Sequence, residues 1–208
     1  VVSAYRNTRG GFLFEALFRP TASRTSLDCL RPFRAAPWPC KNPRMTVYLH
    51  EGDLPDDLDL GPEVAVDSET MGLRFRRDPL CVVQLSSGDG NAHVVRMRRP
   101  GYDCPNLKRL LADPKVLKIF HFGRFDIAMF QLHLGVETRP VYCTKIASRL
   151  ARTYTDRHGL KDVVRETVGV DLSKAQQSSD WGAAELSQAQ LDYAASDVLY
   201  LHAAKARL

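Results

Sequence analysis

The hydrophobic pattern changes period within this chain, and that change limits the fold more than any other feature of the sequence. Three short runs rich in β-branched residues, at positions 63–68, 80–85 and 92–97, are separated by turn-forming stretches at 76–79 and 87–91. Strands joined by turns this short pair with their neighbours in antiparallel fashion. The sequence therefore predicts an antiparallel three-stranded meander.

After the meander, the pattern indicates helices alternating with a further strand at residues 116–121. Gly135 stands where a helix would end, and Ser187 stands where the last helix would begin. The helices are predicted at residues 106–112, 125–132, 145–152, 160–168 and 187–208. A meander followed by this alternation is typical of an α/β fold with a mixed sheet.

Residues 1–44 differ in composition from the rest of the chain. They hold eight Lys or Arg against two acidic residues, a net charge of +6 that exceeds the +5 of the whole chain and leaves −1 for residues 45–208. We expect one folded domain at 45–208, with 1–44 a basic leader upstream of a true start at Met45. An organelle transit peptide and a secretory segment are the alternatives for this leader.

Four carboxylates and a tyrosine carry the candidate chemistry. Asp67 and Glu69 lie two apart on the first predicted meander strand, so their side chains leave the same face of the sheet. Asp126 falls in the first turn of a predicted helix, where it would also serve as a helix-dipole partner. Tyr193 and Asp197 are four apart on the last helix and share one of its faces. Four oxygen ligands of this kind suit Mg²⁺ or Mn²⁺.

The sequence excludes several other chemistries. It contains neither a Walker-type phosphate loop nor the glycine pattern of dinucleotide-cofactor enzymes. It contains no paired-cysteine or H-E-x-x-H motif that would indicate zinc. Two-metal phosphodiester chemistry is the interpretation that remains.

The same residues resemble the three motifs of the DEDD 3′→5′ exonucleases. The stretches V-D-S-E-T at 66–70, H-F-G-R-F-D at 121–126 and Y-A-A-S-D at 193–197 match in order, and Tyr193 marks the tyrosine variant, since Asp192 stands where the other subclass has histidine. Residues 172–181 are similar to the ribonuclease D branch. Residues 48–55 and the small size look most like nanoRNase C. The resemblance covers residues 46–208.

The resemblance implies an RNase H-like (DnaQ-like) 3′-5′ exonuclease fold and a hydrolase that uses two Mg²⁺ or Mn²⁺ ions. Asp67, Glu69 and Asp197 would hold one ion, and Asp67 would hold the second with Asp126 assisting through water. Tyr193 would act on the attacking water. The substrate would be contacted by Thr70, Met71, Gly72, Leu73, His121, Arg124, Lys174 and Gln177.

The implied activity is the release of 5′-mononucleotides from very short RNA, including dinucleotides. Ribonuclease D-type trimming of tRNA or other structured RNA 3′ ends, a DNA-directed exonuclease, and a catalytically inactive nucleic-acid-binding module are the alternatives. The resemblance also implies a homo-oligomer, an octamer, and a further C-terminal segment beyond Leu208. The expected location is the cytoplasm, or an organelle if 1–44 are a transit peptide, with no membrane partner.

Two arginine clusters add an expectation about the substrate path. Arg74, Arg76 and Arg77 follow the first meander strand, and the third strand leads into the second cluster. That cluster contains Arg96, Arg98 and Arg99. In a meander these two positions fall at the same end of the sheet as Asp67 and Glu69. We therefore expect the arginines to border the catalytic cleft and guide phosphates there, or else to be solvated turn residues or subunit contacts.

Overall fold

The computed structural model describes residues 45–208, and the predictions for residues 1–44 lie outside the described residues. Six strands form one mixed sheet in the order β1-β4-β3-β2-β5-β6. The strands are β1 (Thr46–Glu51), β2 (Glu63–Thr70), β3 (Leu80–Ser86), β4 (Asn91–Arg96), β5 (Leu117–Phe120) and β6 (Val141–Cys143). The helices are α1 (Pro105–Ala112), α2 (Arg124–Leu134), α3 (Thr144–Ala151), α4 (Leu160–Thr167), α5 (Gln188–Leu199) and α6 (Leu201–Arg207).

The strand register confirms the predicted meander, because β2 pairs antiparallel with β3 and β3 pairs antiparallel with β4. The remaining pairs are parallel: β1 with β4, β2 with β5, and β5 with β6. The mixed-sheet α/β class is therefore confirmed. The sequence analysis predicted neither β1 nor β6, and β6 has only three residues, too few to show an alternating pattern.

The predicted helices are present, with small differences at their ends. Ser187 caps α5 through a reciprocal capping box with Gln190, and Gly135 ends α2 in the left-handed conformation at φ 68°. The last helix was predicted as continuous, but it divides at Tyr200, whose φ of −103° and ψ of 0° interrupt the regular geometry between α5 and α6. No helix in residues 45–208 is long and apolar enough to cross a membrane.

The two faces of the sheet carry separate cores, and this arrangement positions the functional side chains. Val64 and Val66 of β2 pack in the cluster that contains residues of α1 and α2. Ala65 packs in the opposite cluster, with Ala195 and Val198 of α5. Since side chains alternate along a strand, the two acidic residues that follow on β2 at odd-numbered positions lie on the face that α5 covers.

Candidate active site

Three carboxylates meet where the end of β2 passes beneath α5. Asp67 and Glu69 come from β2, and Asp197 comes from α5. One carboxylate oxygen from each lies within 4.8 Å of the others, which is close enough for a single metal ion to bind all three. Regular pairing of β2 with β3 is interrupted between Glu69 and Thr70. Irregularities of this kind are frequent beside active sites, where they redirect side chains.

Asp126, the fourth predicted carboxylate, lies beside this group but is held from the opposite side of β2. Ser68 lies between the two acidic strand residues and faces the other way, and its hydroxyl donates a 2.5 Å hydrogen bond to Asp126 Oδ1. Asp126 is buried in the first turn of α2. Its charge nevertheless acts on Asp67 and Glu69, whose pKa values it raises. The structure therefore brings all four predicted carboxylates to one place.

Burial and the neighbouring negative charges make each of these carboxylates difficult to ionise. Burial raises the pKa of Asp67 well above its usual value, and the charges of Asp126, Asp197 and Glu69 raise it further. Burial, followed by the charges of Asp197 and Asp126, raises the pKa of Glu69 to about 9. Burial also raises the pKa of Asp197 to about 7. Among the described residues, no Lys or Arg pairs with any of these carboxylates, so the donor set fits a divalent cation.

Gln84 is a neighbour of the cluster that sequence reasoning missed. It lies opposite Asp67 in the β2–β3 register, is fully buried, and donates a hydrogen bond of 3.3 Å from Nε2 to Asp67 Oδ2. A buried glutamine on an otherwise apolar strand was the signal available in the sequence. The amide fixes the orientation of the Asp67 carboxylate without neutralising its charge.

Tyr193 lies one helical turn before Asp197, and interaction with its hydroxyl partly offsets the rise in the pKa of Asp197. Burial raises the pKa of Tyr193, and the charges of Asp197, Glu69 and Asp67 raise it further. The phenol therefore remains protonated at neutral pH. A protonated hydroxyl at this position can orient a water molecule beside the carboxylates.

A cleft of about 340 Å³ opens onto Asp67, Glu69 and Asp197, whereas Asp126 lies outside its lining. Three of the predicted substrate-contacting residues line it: His121, Lys174 and Gln177. The other predicted contacts lie outside the lining; they are Thr70, Met71, Gly72, Leu73 and Arg124. The first four follow Glu69 directly at the end of β2, where Leu73 is 79% exposed. Their roles stay predictions.

Sequence reasoning missed several residues of the cleft lining, among them Phe122, Lys145 and Lys161. Phe122 is a non-glycine residue in the left-handed region at φ 69°, a conformation that concentrates at functional sites. Its exposed ring lies under the Lys145 ammonium, with Nζ 4.2 Å from the ring centroid. The two lysines begin α3 and α4, far apart in sequence, so only the tertiary fold reveals that they share a cleft.

His121 is held in its neutral form on the cleft wall. Its Nδ1 lies 2.9 Å from the hydroxyl of Thr144, which itself lies 3.0 Å from the carbonyl oxygen of Phe120. Burial, and then the nearby charge of Lys145, lowers the pKa of His121 to about 4. The lysines therefore supply the positive charge of this wall.

The arginine clusters correct one expectation. The register places Arg96 opposite Val82 and Val82 opposite Glu69, so the clusters do lie toward the predicted end of the sheet. However, none of the six arginines lines the cleft. Arg96 forms an ion pair with Glu51, and Arg77 forms one with Asp78. One partner is distant in sequence and the other is adjacent, and charge counting reveals neither pairing; both direct these two guanidinium groups elsewhere.

Comparison with known proteins places this geometry in a family. A family profile described as 3′-5′ exonuclease matches residues 53–208. Ribonuclease D of Granulibacter bethesdensis is 41% identical over 140 residues, which cover 67% of this chain and 35% of that protein. The chain spans about a third of the length of the curated relatives that it matches.

Solved structures of Brucella melitensis NrnC extend the likeness over more of both chains. The structure bound to pGG is 55% identical with a TM-score of 0.75, and the match covers 78% of this chain and 79% of that chain. The structure with bound Mg²⁺ is 54% identical with a TM-score of 0.74 and the same coverage. The match to NrnC therefore covers most of both proteins, whereas the match to ribonuclease D covers only about a third of that protein.

Proposed function

This chain belongs to the 3′-5′ exonuclease family, and from that premise we propose that it is a metal-dependent exoribonuclease acting on very short RNA, including dinucleotides. The observation that carries the proposal is the group of Asp67, Glu69 and Asp197, with oxygens within 4.8 Å of one another and no basic partner among residues 45–208. Carboxylates buried this close together repel one another, and divalent cations would relieve that repulsion.

Two divalent ions complete the proposed site, Mg²⁺ or Mn²⁺. Asp67, Glu69 and Asp197 would hold one, and Asp67 would hold the other with help from Asp126. When bound, such ions stabilise the attacking and leaving oxygens of an in-line displacement. The Mg²⁺-bound structure of Brucella NrnC, at 54% identity, supports this part of the proposal.

The side chains around the cleft divide the remaining tasks. The Tyr193 hydroxyl orients the water that attacks the last phosphodiester phosphorus. The bond from that phosphorus to the O3′ of the preceding nucleotide breaks, and a 5′-mononucleotide leaves. Thr70, Met71, Gly72 and Leu73 would contact the terminal nucleotide from the end of β2. His121, Lys174 and Gln177 in the cleft lining, and Arg124 outside it, would contact the rest of the substrate.

Three observations favour a short RNA substrate. The cleft of about 340 Å³ has the volume of a small-ligand site, not of an extended groove. The domain at 45–208 carries a net charge of −1, which suits a substrate with few phosphates. Lys145, Lys161 and Lys174 concentrate positive charge in the cleft itself. The pGG-bound structure of Brucella NrnC adds support by similarity.

A second candidate is ribonuclease D-type trimming of longer, structured RNA. The 41% identity to ribonuclease D of Granulibacter bethesdensis favours it. Substrate length separates the two candidates, because a trimming enzyme must bind more phosphates than a dinucleotide offers.

The test is a rate series on oligonucleotides from two to ten nucleotides, in ribose and deoxyribose form, with Mg²⁺ and with Mn²⁺. The proposal predicts the highest kcat/KM on the ribodinucleotide and a steady fall with length. Rates that rise with length would favour the trimming enzyme. Equal rates on both sugars would favour a nuclease that does not select RNA.

We further propose that the protein assembles as a homo-oligomer, an octamer, and works in the cytoplasm. Exposed apolar side chains on and just after α3 supply surface for subunit contacts: Ile146 is 54% exposed, Leu150 77% and Tyr154 72%. Light scattering on size-separated protein at micromolar concentration measures the assembly. A monomeric mass would overturn this part of the proposal.

A further inference from the structure

The segment between α4 and α5 contains a buried aromatic residue that the proposed chemistry does not use. Within residues 173–189, all of which the structure describes, Trp181 is the only buried side chain, at 2% exposure. The residues on either side of it, Asp180 and Gly182, are exposed or half-buried. A large buried side chain in a mostly exposed stretch indicates a specific packing role.

The indole of Trp181 packs directly against the ring of Tyr193. Their ring centroids lie 6.0 Å apart with an interplanar angle of 42°. The indole also belongs to a cluster with Cys81, Val82 and Ala194, which joins β3 to α5. Trp181 therefore packs among β3, α5 and the ring of Tyr193.

Hydrogen bonds hold the backbone on both sides of the indole. Gln190 Nε2 donates to the carbonyl oxygen of Asp180 at 3.0 Å and to Ser179 Oγ at 3.2 Å. Arg99 donates to the carbonyl oxygen of Gly182 at 3.2 Å. The indole Nε1 itself has no hydrogen-bond partner among the described residues. The ring is therefore held by packing and by its anchored backbone, so its effect on Tyr193 is steric.

We propose that Trp181 is a positioning residue that fixes the orientation of the Tyr193 phenol beside Asp197. This inference rests on the proposed function, since it takes its importance from the role of Tyr193 there. Without the indole, the Tyr193 ring gains a cavity into which it can turn, and the hydroxyl leaves the position beside the carboxylates. Such a change slows turnover and leaves the binding of substrate and metal in place.

A double-mutant cycle tests the inference, with Trp181→Leu and Tyr193→Phe made singly and together in the full chain. With a ribodinucleotide and Mg²⁺, Trp181→Leu is expected to lower kcat about tenfold and to change KM less than about twofold. In the Tyr193→Phe background the same change is expected to alter kcat by less than about twofold. Trp181→Phe, which keeps an aromatic ring, is expected to restore most of kcat.

Two further measurements separate the possible failures. Calorimetric titration with Mn²⁺ is expected to give the same affinity in wild type and Trp181→Leu, and a weaker affinity would show a general disturbance of the site. An equal loss of kcat in both backgrounds would overturn the positioning role. If Trp181→Leu fails to fold, Trp181→Met, which also removes the ring, takes its place in the cycle and is judged by the same criterion. If Tyr193→Phe alone keeps full kcat, the proposed role of Tyr193 fails independently of Trp181.

Discussion

Two groups of buried charge in this molecule differ in whether the protein itself compensates them. Lys118 of β5 is fully buried, and its ammonium donates to the carbonyl oxygens of Asp113, Val116 and Arg139 at 2.6, 2.9 and 2.7 Å. All three of its hydrogens are satisfied by the protein's own backbone. The acidic cluster at β2 and α5 has no such compensation, because its charges repel one another and no Lys or Arg within residues 45–208 forms an ion pair with them.

This difference separates a structural charge from a functional one. A charge that the backbone satisfies stabilises one conformation and needs nothing from outside. A cluster of carboxylates without partners costs stability until a cation binds, and such clusters are characteristic of catalytic metal sites. The four predictions that follow test this contrast, beginning with the largest effect.

Removing a carboxylate of the cluster should abolish catalysis without loss of fold. Asp67→Ala or Asp197→Ala is expected to reduce turnover to background, since the donor set for the cations is broken. Thermal unfolding in EDTA should show the variants at least as stable as wild type, because repulsion is relieved. Asp192→Ala, an exposed residue on the same helix, is the matched control and should keep full activity. Substantial turnover by Asp67→Ala with Mg²⁺ would refute the assignment.

Tyr193→Phe should slow turnover by roughly 10²-fold or more, because the variant loses the hydroxyl that orients the attacking water. The ring remains, so metal affinity and the unfolding temperature are expected to match those of wild type. Steady-state kinetics together with Mn²⁺ calorimetry measures both. Unchanged kcat would show that the hydroxyl has no part in the reaction.

Lys118→Met should produce the opposite profile from the acidic variants. Three buried carbonyl oxygens lose their donor, which is expected to lower the free energy of unfolding by about 2 kcal/mol. The kcat at a temperature where the variant is folded should match that of wild type. Urea titration measures the loss, and Lys115→Met, at an exposed position three residues earlier, serves as control. Equal stability of the two variants would contradict the structural role of Lys118.

The pH dependence of the metal-free protein provides a fourth test of the contrast. The pKa of Glu69 is raised to about 9 and that of Asp197 to about 7, so the folded state holds protons that the unfolded chain has already released. Stability in EDTA should therefore fall as pH rises from about 5 to 9. Glu69→Gln is expected to flatten this slope. A stability that rises across this range would show that the carboxylates are not mutually repelling.

The acidic cluster also shows which parts of the site can be predicted from sequence alone. Strand alternation predicted that Asp67 and Glu69 share a face, and helical spacing predicted that Tyr193 and Asp197 share another. These are local relations, and the fold preserves them. Phe122, Lys145 and Lys161 escaped prediction because they meet only through tertiary structure.

The arginines also show a limit of prediction from sequence, because here a predicted contact is missing. Their predicted location at one end of the sheet agrees with the strand register, yet their predicted contact with the cleft is absent. Pairing of Arg96 with Glu51 joins two strands that are distant in sequence. Local periodicity places backbone elements, whereas the direction of a long charged side chain depends on partners that only the folded chain supplies.

The central claim, a metal-dependent exonuclease working from the 3′ end, is tested most directly by the order in which products appear. A five-nucleotide RNA labelled at its 5′ end is incubated with the protein and Mg²⁺, and parallel samples contain EDTA. We expect labelled products of four, three, two and one nucleotides in that order, and none in EDTA. A labelled mononucleotide as the first product, or cleavage at the same rate in EDTA, would contradict the account.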